Sequence, residues 1–229
     1  MHNSQDYLEQ RKLNKTPEEN WKIISNFLIS KVKNLKNHQI KKILLVNPPQ
    51  IQTQTLDLET FKNKRYFNYP PYGIGLLKSC INKKNPEINV EILDLNYEVL
   101  KFVDIFLKSK QENNNFSKED ILNIKNYNFV NYFDQMFEGQ VSNLEGLDIE
   151  KIMKPIYEDF LKKYDPDLVG ISCMFTMSHK RMLSLAKIAK ELSNKTIVFA
   201  GGVHPTSSSE KILRETSNID FVSLFEADE

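Results

Sequence analysis

At 229 residues, with 40% hydrophobic and 27% charged residues and a formal net charge of +1, the chain can bury a full core. It carries no global field that would draw it to nucleic acid or an anionic membrane. Its two cysteines, Cys80 and Cys173, stand far apart and support neither a disulfide framework nor a metal site of clustered thiolates. The longest apolar runs, Ile43 to Val46 and Ile74 to Leu77, fall far short of the roughly 20 residues of a membrane span. Residues 1–20 are polar and hold no signal-peptide core, so a reducing, cytoplasmic location is expected.

In the first 40 residues Trp21, Ile24, Phe27, Leu28 and Val32 recur at helical steps, and Thr16-Pro17-Glu18-Glu19 has the composition of a helix start. This segment reads as an appended helix covering a flank of the domain. Ile43-Leu44-Leu45-Val46 then reads as a strand buried on both faces, ended by Asn47-Pro48-Pro49 because proline offers no ladder N–H. A helix follows over 73–81 and a second strand over 89–95. The segment from about 98 to 164 is too long for one crossover. It shows helical stretches at 99–108 and 149–163 around an aromatic, Asn-rich stretch at 113–137, which suits either a cap or a lateral packing insert. A third strand at 168–172, a helix at 178–192 and a fourth strand at 196–200 come next. Ser207 and Glu210 have capping-box spacing for another helix, and 219–223 reads as a fifth strand.

Short buried strands alternating with helices predict an α/β, Rossmann-like fold. Its expected form is a parallel five-stranded sheet in the flavodoxin-like order 2-1-3-4-5, with flanking helices, a helical extension at 1–40 and a helical insert, the main domain spanning 41–229. Ligands in such sheets sit beyond the strands' carboxyl ends at the switch point, which puts Asn47, Ser172 and Gly201 at the expected site.

Gly201-Gly202 after a strand allows close approach to the backbone, although a tight turn explains such a pair as well. More informative is Ser172-Cys173-Met174 followed, after residues 175–200, by Gly201-Gly202: a small hydroxyl at one strand end and glycines at the next leave a groove for a polar tail. With this spacing the chain resembles the cobalamin-binding domains, closest to the amino-terminal domain of cobalamin-dependent radical S-adenosylmethionine enzymes. Met174 stands where Leu is usual. The likeness extends over Leu45-Val46-Asn47-Pro48-Pro49, residues 69–77, residues 166–172, Gly201-Gly202-Val203-His204-Pro205-Thr206, and Asp220-Phe221-Val222.

The resemblance implies cobalamin as the cofactor, its tail between the third and fourth strands. The Asp-x-His-x-x-Gly motif that supplies a lower cobalt ligand in methionine-synthase-like domains is absent, and Asn47, Pro48 and Pro49 occupy that loop, so no metal ligand is expected there. The Cys-x3-Cys-x2-Cys motif of the radical domain is also absent. A 4Fe-4S cluster and S-adenosylmethionine are therefore expected only with a further carboxy-terminal domain or partner, and catalysis by this chain alone is not expected.

Beside this reading, Phe175 and Thr176 are placed to face a macrocycle, and Tyr72 and Gly73, after Pro70-Pro71, either meet a ring edge or pack in their loop. His204 either binds a corrin amide or phosphate or fixes its loop. Thr206 and Ser207 either share helix N–H groups with an anion or cap the helix. His179 is expected to face solvent or cap its helix rather than ligate a metal, since nothing nearby has ligand spacing, and Glu226, Asp228 and Glu229 to form a solvated end rather than an acidic pair near the site. Two other classes stay in view. A flavin- or nucleotide-binding module would need a phosphate cradle, for which Asn47-Pro48-Pro49 lacks glycines and hydroxyls. A ligand-free interaction domain would use the first helix and the insert.

Overall fold

The structure, a computed structural model, describes residues 17–34, 39–50, 71–99, 101–102 and 149–225. Its elements are α1 (Pro17–Val32), β1 (Lys42–Asn47), α2 (Tyr72–Lys84), β2 (Asn89–Asp94), α3 (Ile149–Tyr164), β3 (Leu168–Ser172), α4 (His179–Leu192), β4 (Ile197–Gly201), α5 (Val203–Glu215) and β5 (Phe221–Val222). The strands pair in parallel in the order β2-β1-β3-β4-β5. The fold is thus the Rossmann-like α/β sheet with flavodoxin-like order that the alternating pattern predicts. Among the described residues no helix is long and apolar enough to cross a membrane.

Side chains alternate between the two faces of a strand, and here each face has its own core. Leu44, Val46, Leu93, Ile171, Val198 and Ala200 join the larger cluster with α3 and α4. Its α3 stripe, Ile149, Ile152, Met153, Ile156, Tyr157 and Leu161, has helical spacing. Ile43, Leu45, Val90, Leu168 and Ile197 form the smaller cluster with Ile74 of α2, and Val32, Leu77 and Ile81 pack against it. The α1 helix also reaches the sheet through Lys31, whose Nζ lies 2.6 Å from Asp220 Oδ1.

Gly170 lies in the middle of β3 on the smaller-cluster face. A Cβ there would overlap the Phe199 ring and come within 2.9 Å of Leu45 Cδ2. Phe199 is itself stacked on Phe221, with centroids 5.3 Å apart and an interplanar angle of 5°. Gly170→Ala is therefore expected to cost about 1–3 kcal/mol by overpacking, read as a lowered urea midpoint at unchanged m-value.

Several boundaries differ from expectation for identifiable reasons. β2 ends at Asp94 because its carboxylate accepts from the N–H groups of Asn96 (3.1 Å) and Tyr97 (3.3 Å), which starts helical backbone at 95–99 and 101–102. Residues 103–108 and 113–137 lie outside the described residues. β4 runs one residue further, into Gly201, because Gly201 pairs with Ser172. The expected capping box at Ser207 and Glu210 does not form: α5 starts earlier, at Val203, and the Ser207 hydroxyl donates back to the His204 carbonyl at 2.9 Å. The backbone departs from helical geometry at Ser208 (φ −129°, ψ 22°), a kink inside α5.

Candidate functional site

The carboxyl ends of β1, β3 and β4 place three small polar or glycine positions on one sheet face. Asn47, Ser172 and Gly201 continue the alternation of the smaller cluster, in which Leu45, Gly170 and Phe199 precede them by two residues. Ser172 pairs directly with Gly201, and Asn47 lies one step beyond the Val46–Ile171 pair. All three are short side chains or none, so no large side chain continues the smaller core at these strand ends. A Cβ on Gly201 would meet only Ser223 Cβ, at an ordinary 3.6 Å.

Gly202 has a different role. Its φ of +109° is a conformation that L side chains rarely adopt, and a Cβ would stand 2.8 Å from the Cys173 carbonyl oxygen. This glycine is required by the chain's own close approach: the His204 N–H donates to that same carbonyl at 3.2 Å, and Cys173 N donates to Gly201 O at 2.8 Å. The loops after β3 and β4 are thereby tied together at the sheet edge.

On these loops stand Met174, Phe175, Met177 and Val203, all large and exposed, with Phe225 beyond β5. Thr206 secures the last of these, donating from Oγ1 to Gly202 O at 2.9 Å and accepting from Phe225 N at 3.1 Å. These exposed apolar side chains stand on the loops beyond the strand ends that carry Ser172 and Gly201. At the start of α4 the Ser178 hydroxyl is buried without a hydrogen-bond partner, whereas buried polar groups are ordinarily paired.

Both His204 ring nitrogens have partners within the protein. Thr176 Oγ1 lies 3.3 Å from Nδ1 and His179 Nδ1 lies 2.9 Å from Nε2, while His179 Nε2 lies 2.9 Å from Glu215 Oε2. These contacts are what a loop-fixing His204 would make. His179 is neither a solvated residue nor a cap but the middle of this chain, its ring edge-on to His204 at 5.0 Å between centroids. Burial first, then His179 and Lys211, hold His204 below its ordinary value of 6.5, so it is neutral at pH 7. Cys173 is fully buried, donates to Phe175 O at 3.4 Å, and has its thiol pushed up to about 11 by burial, so it is no thiolate ligand. Among the described residues no group of three or more His, Cys, Asp or Glu side chains could hold a metal ion.

The first loop is built from within. Asn47 is buried and donates from Nδ2 to Asp94 Oδ1 at 2.8 Å. Pro48 and Pro49 are buried as well, and Arg181 Nη1 donates to the Pro49 carbonyl at 2.9 Å. Tyr72 and Gly73 are not brought to the strand ends at Ser172 and Gly201. They open α2, where Tyr72 is 84% exposed and lines a separate cavity of about 740 Å³ at the β2 edge with Leu76, Asp94, Tyr97 and Phe160. Glu226, Asp228 and Glu229 lie outside the described residues. Sequence reading missed Ser178, Arg181 and Glu215. Glu215 stands 36 residues from its histidine partner, and no local spacing betrays such a pair.

Residues 130–229 match the family model of the B12 binding domain. A relative from Pyrococcus horikoshii, described as an uncharacterised methyltransferase, is 35% identical over 88 residues, which cover 38% of this chain and 17% of that protein. The aligned segment thus spans less than a fifth of the relative's length. No solved structure matches the chain significantly. The β3–β5 half that supplies the glycine turn, the exposed apolar side chains and the histidine pair lies inside the range matched to that family model.

Proposed function

We propose that this chain binds cobalamin and serves as the cofactor-holding domain of a radical S-adenosylmethionine methyltransferase-type system. The observation that carries this reading is the Ser172–Gly201 pair at the ends of β3 and β4 with the exposed Met174, Phe175, Met177, Val203 and Phe225 on the loops beyond it. A corrin has apolar faces and a polar nucleotide tail, which these apolar side chains and small strand ends match in kind. The tail would lie between the ends of β3 and β4, with the Ser172 hydroxyl as a polar contact. Asn47, Pro48 and Pro49 close the first loop without an imidazole, and the domain's part is to bind, orient and leave the other cobalt face accessible. Bound cobalamin supplies methyl-group transfer. A radical domain, in cis or in trans, would bring the 4Fe-4S cluster and S-adenosylmethionine; the relative described as a methyltransferase supports that setting.

The test is retention. Purified protein mixed with hydroxocobalamin or methylcobalamin should keep corrin absorbance through gel filtration. Gly201→Leu, which adds a bulky side chain at the end of β4 at a position with room for a Cβ, should lose it while unfolding at a urea midpoint close to the parent. No retained corrin in the parent chain sinks the proposal.

A further inference from the structure

The chain Thr176–His204–His179–Glu215 has a defined donor direction. Glu215 ends it as a carboxylate, 44% exposed along its side chain, and a carboxylate only accepts. His179 must then donate from Nε2, which leaves its Nδ1 as an acceptor. His204 donates to that Nδ1 from Nε2, which leaves its own Nδ1 to accept the Thr176 hydroxyl proton. In this arrangement every proton of the chain points away from the cleft. The Thr176 oxygen, on an exposed residue of the β3 exit loop between Phe175 and Met177, presents lone pairs alone.

We infer that this relay sets Thr176 as an obligatory hydrogen-bond acceptor at the cleft, selecting an N–H donor such as a corrin side-chain carboxamide over a carboxylate, and that one added proton reverses it. The inference rests on the cobalamin reading for its ligand. A proton entering the pair makes His179 donate from both nitrogens. His204 then accepts at Nε2 and donates from Nδ1 to Thr176, whose own proton is released toward the cleft. Protons balance: one enters at the imidazoles, the His179–Glu215 bond keeps its direction, and the His179–His204 and His204–Thr176 bonds are kept with theirs turned. The charged groups facing the pair are Glu215, which favours the added proton, and Lys211, which opposes it. Burial first, then His179 and Lys211, disfavour a charge on His204, so that ring stays neutral in both arrangements.

Two measurements on the full chain test it. The first needs no cofactor: imidazole 15N NMR of the H2Q/H38Q variant, which leaves His179 and His204 alone. At pH 8 both should be Nε2–H tautomers with a through-hydrogen-bond N–N coupling between them, and Glu215→Gln, whose amide can also donate, should mix the tautomers. An Nδ1–H His204 at pH 8, or no coupling, overturns the relay. The second compares cyanocobalamin with its monocarboxylic derivatives, in which one side-chain amide is an acid. At least one derivative should bind about tenfold more weakly than cyanocobalamin at pH 8. The ratio should shrink at pH 5.5 and lose its pH dependence in Thr176→Val. A ratio that is the same at both pH values for every derivative overturns the selection. If cyanocobalamin itself does not bind, the proposed function fails, and the NMR result alone decides the polarity of Thr176.

Discussion

Asp220→Ala is expected to destabilise the protein by about 3–5 kcal/mol, the range for breaking a buried ion pair by removing one partner. The Asp220 side chain is 3% exposed, and its carboxylate serves three donors from three elements: Lys190 Nζ of α4 at 2.6 Å, Lys31 Nζ of α1 at 2.6 Å, and the Val198 N–H of β4 at 2.8 Å. Removing it leaves the Val198 N–H without its acceptor and strands Lys190, whose side chain is 15% exposed and also donates to Thr196 O at 2.6 Å. Burial already pulls Lys190 down from its ordinary value, while Asp220 pulls it back up. Without the carboxylate, burial and the neighbouring Lys31 charge both act downward with nothing to offset them. Urea unfolding gives the direct measure, and a double-mutant cycle with Lys190→Met separates the pair from the rest. Since the double mutant buries no unpaired charge, it should regain part of the loss. An Asp220→Ala midpoint within about 1 kcal/mol of the parent would show the carboxylate to be solvated after all. The α1 helix should fray in the same variant, because Lys31 is its polar tie to the sheet.

The second large effect belongs to Gly202→Ala. At φ +109° and ψ −177° an alanine is strained by about 1–3 kcal/mol, and its Cβ would press on Cys173 at three atoms, 2.8–3.3 Å away. The loop after β4 must then move away from the loop after β3. This breaks the His204 N–H to Cys173 carbonyl bond and withdraws the His204 ring from Thr176 and His179. Stability should fall by roughly 2 kcal/mol or more, and cobalamin retention should drop at least about tenfold, since 1.4 kcal/mol is a factor of ten. Gly75→Ala is the control. Nothing lies within 4 Å of a Cβ there, and alanine is the better helix former, so that variant should gain up to about 1 kcal/mol and keep its corrin. Parent-like binding by Gly202→Ala would separate the glycine turn from the site.

The histidines show where sequence reasoning reached its limit. His204 was legible as a residue at the ligand edge because it follows a strand end and two glycines, and its loop-fixing role was one of two readings. His179 was not legible, because its partners sit in another helix and only the crossover of α4 past α5 brings them together. Tyr72 was misplaced toward the strand ends at Ser172 and Gly201 for a related reason. A helix start after β1 looks adjacent to the switch point in sequence, but α2 carries Tyr72 to the β2 edge. Ser207 and Glu210 had the right spacing for a cap, yet the hydrogen bonds around Gly202 begin the helix earlier.

Strand positions, their parallel order and the residues at their carboxyl ends were readable in the chain itself. Burial on both faces demands continuous apolar runs, crossovers have one hand, and a polar residue, proline or glycine marks where a run ends. The placement of Ser172 and Gly201 at neighbouring strand ends followed from that periodicity. The direction of the Thr176–His204–His179–Glu215 relay, the three-donor seat of Asp220 and the steric need for glycine at 202 came from the folded chain alone. Each is a contact between residues far apart in sequence, set by how α1, α4, α5 and the sheet pack, and contacts of that kind leave no period for a linear pattern to reveal.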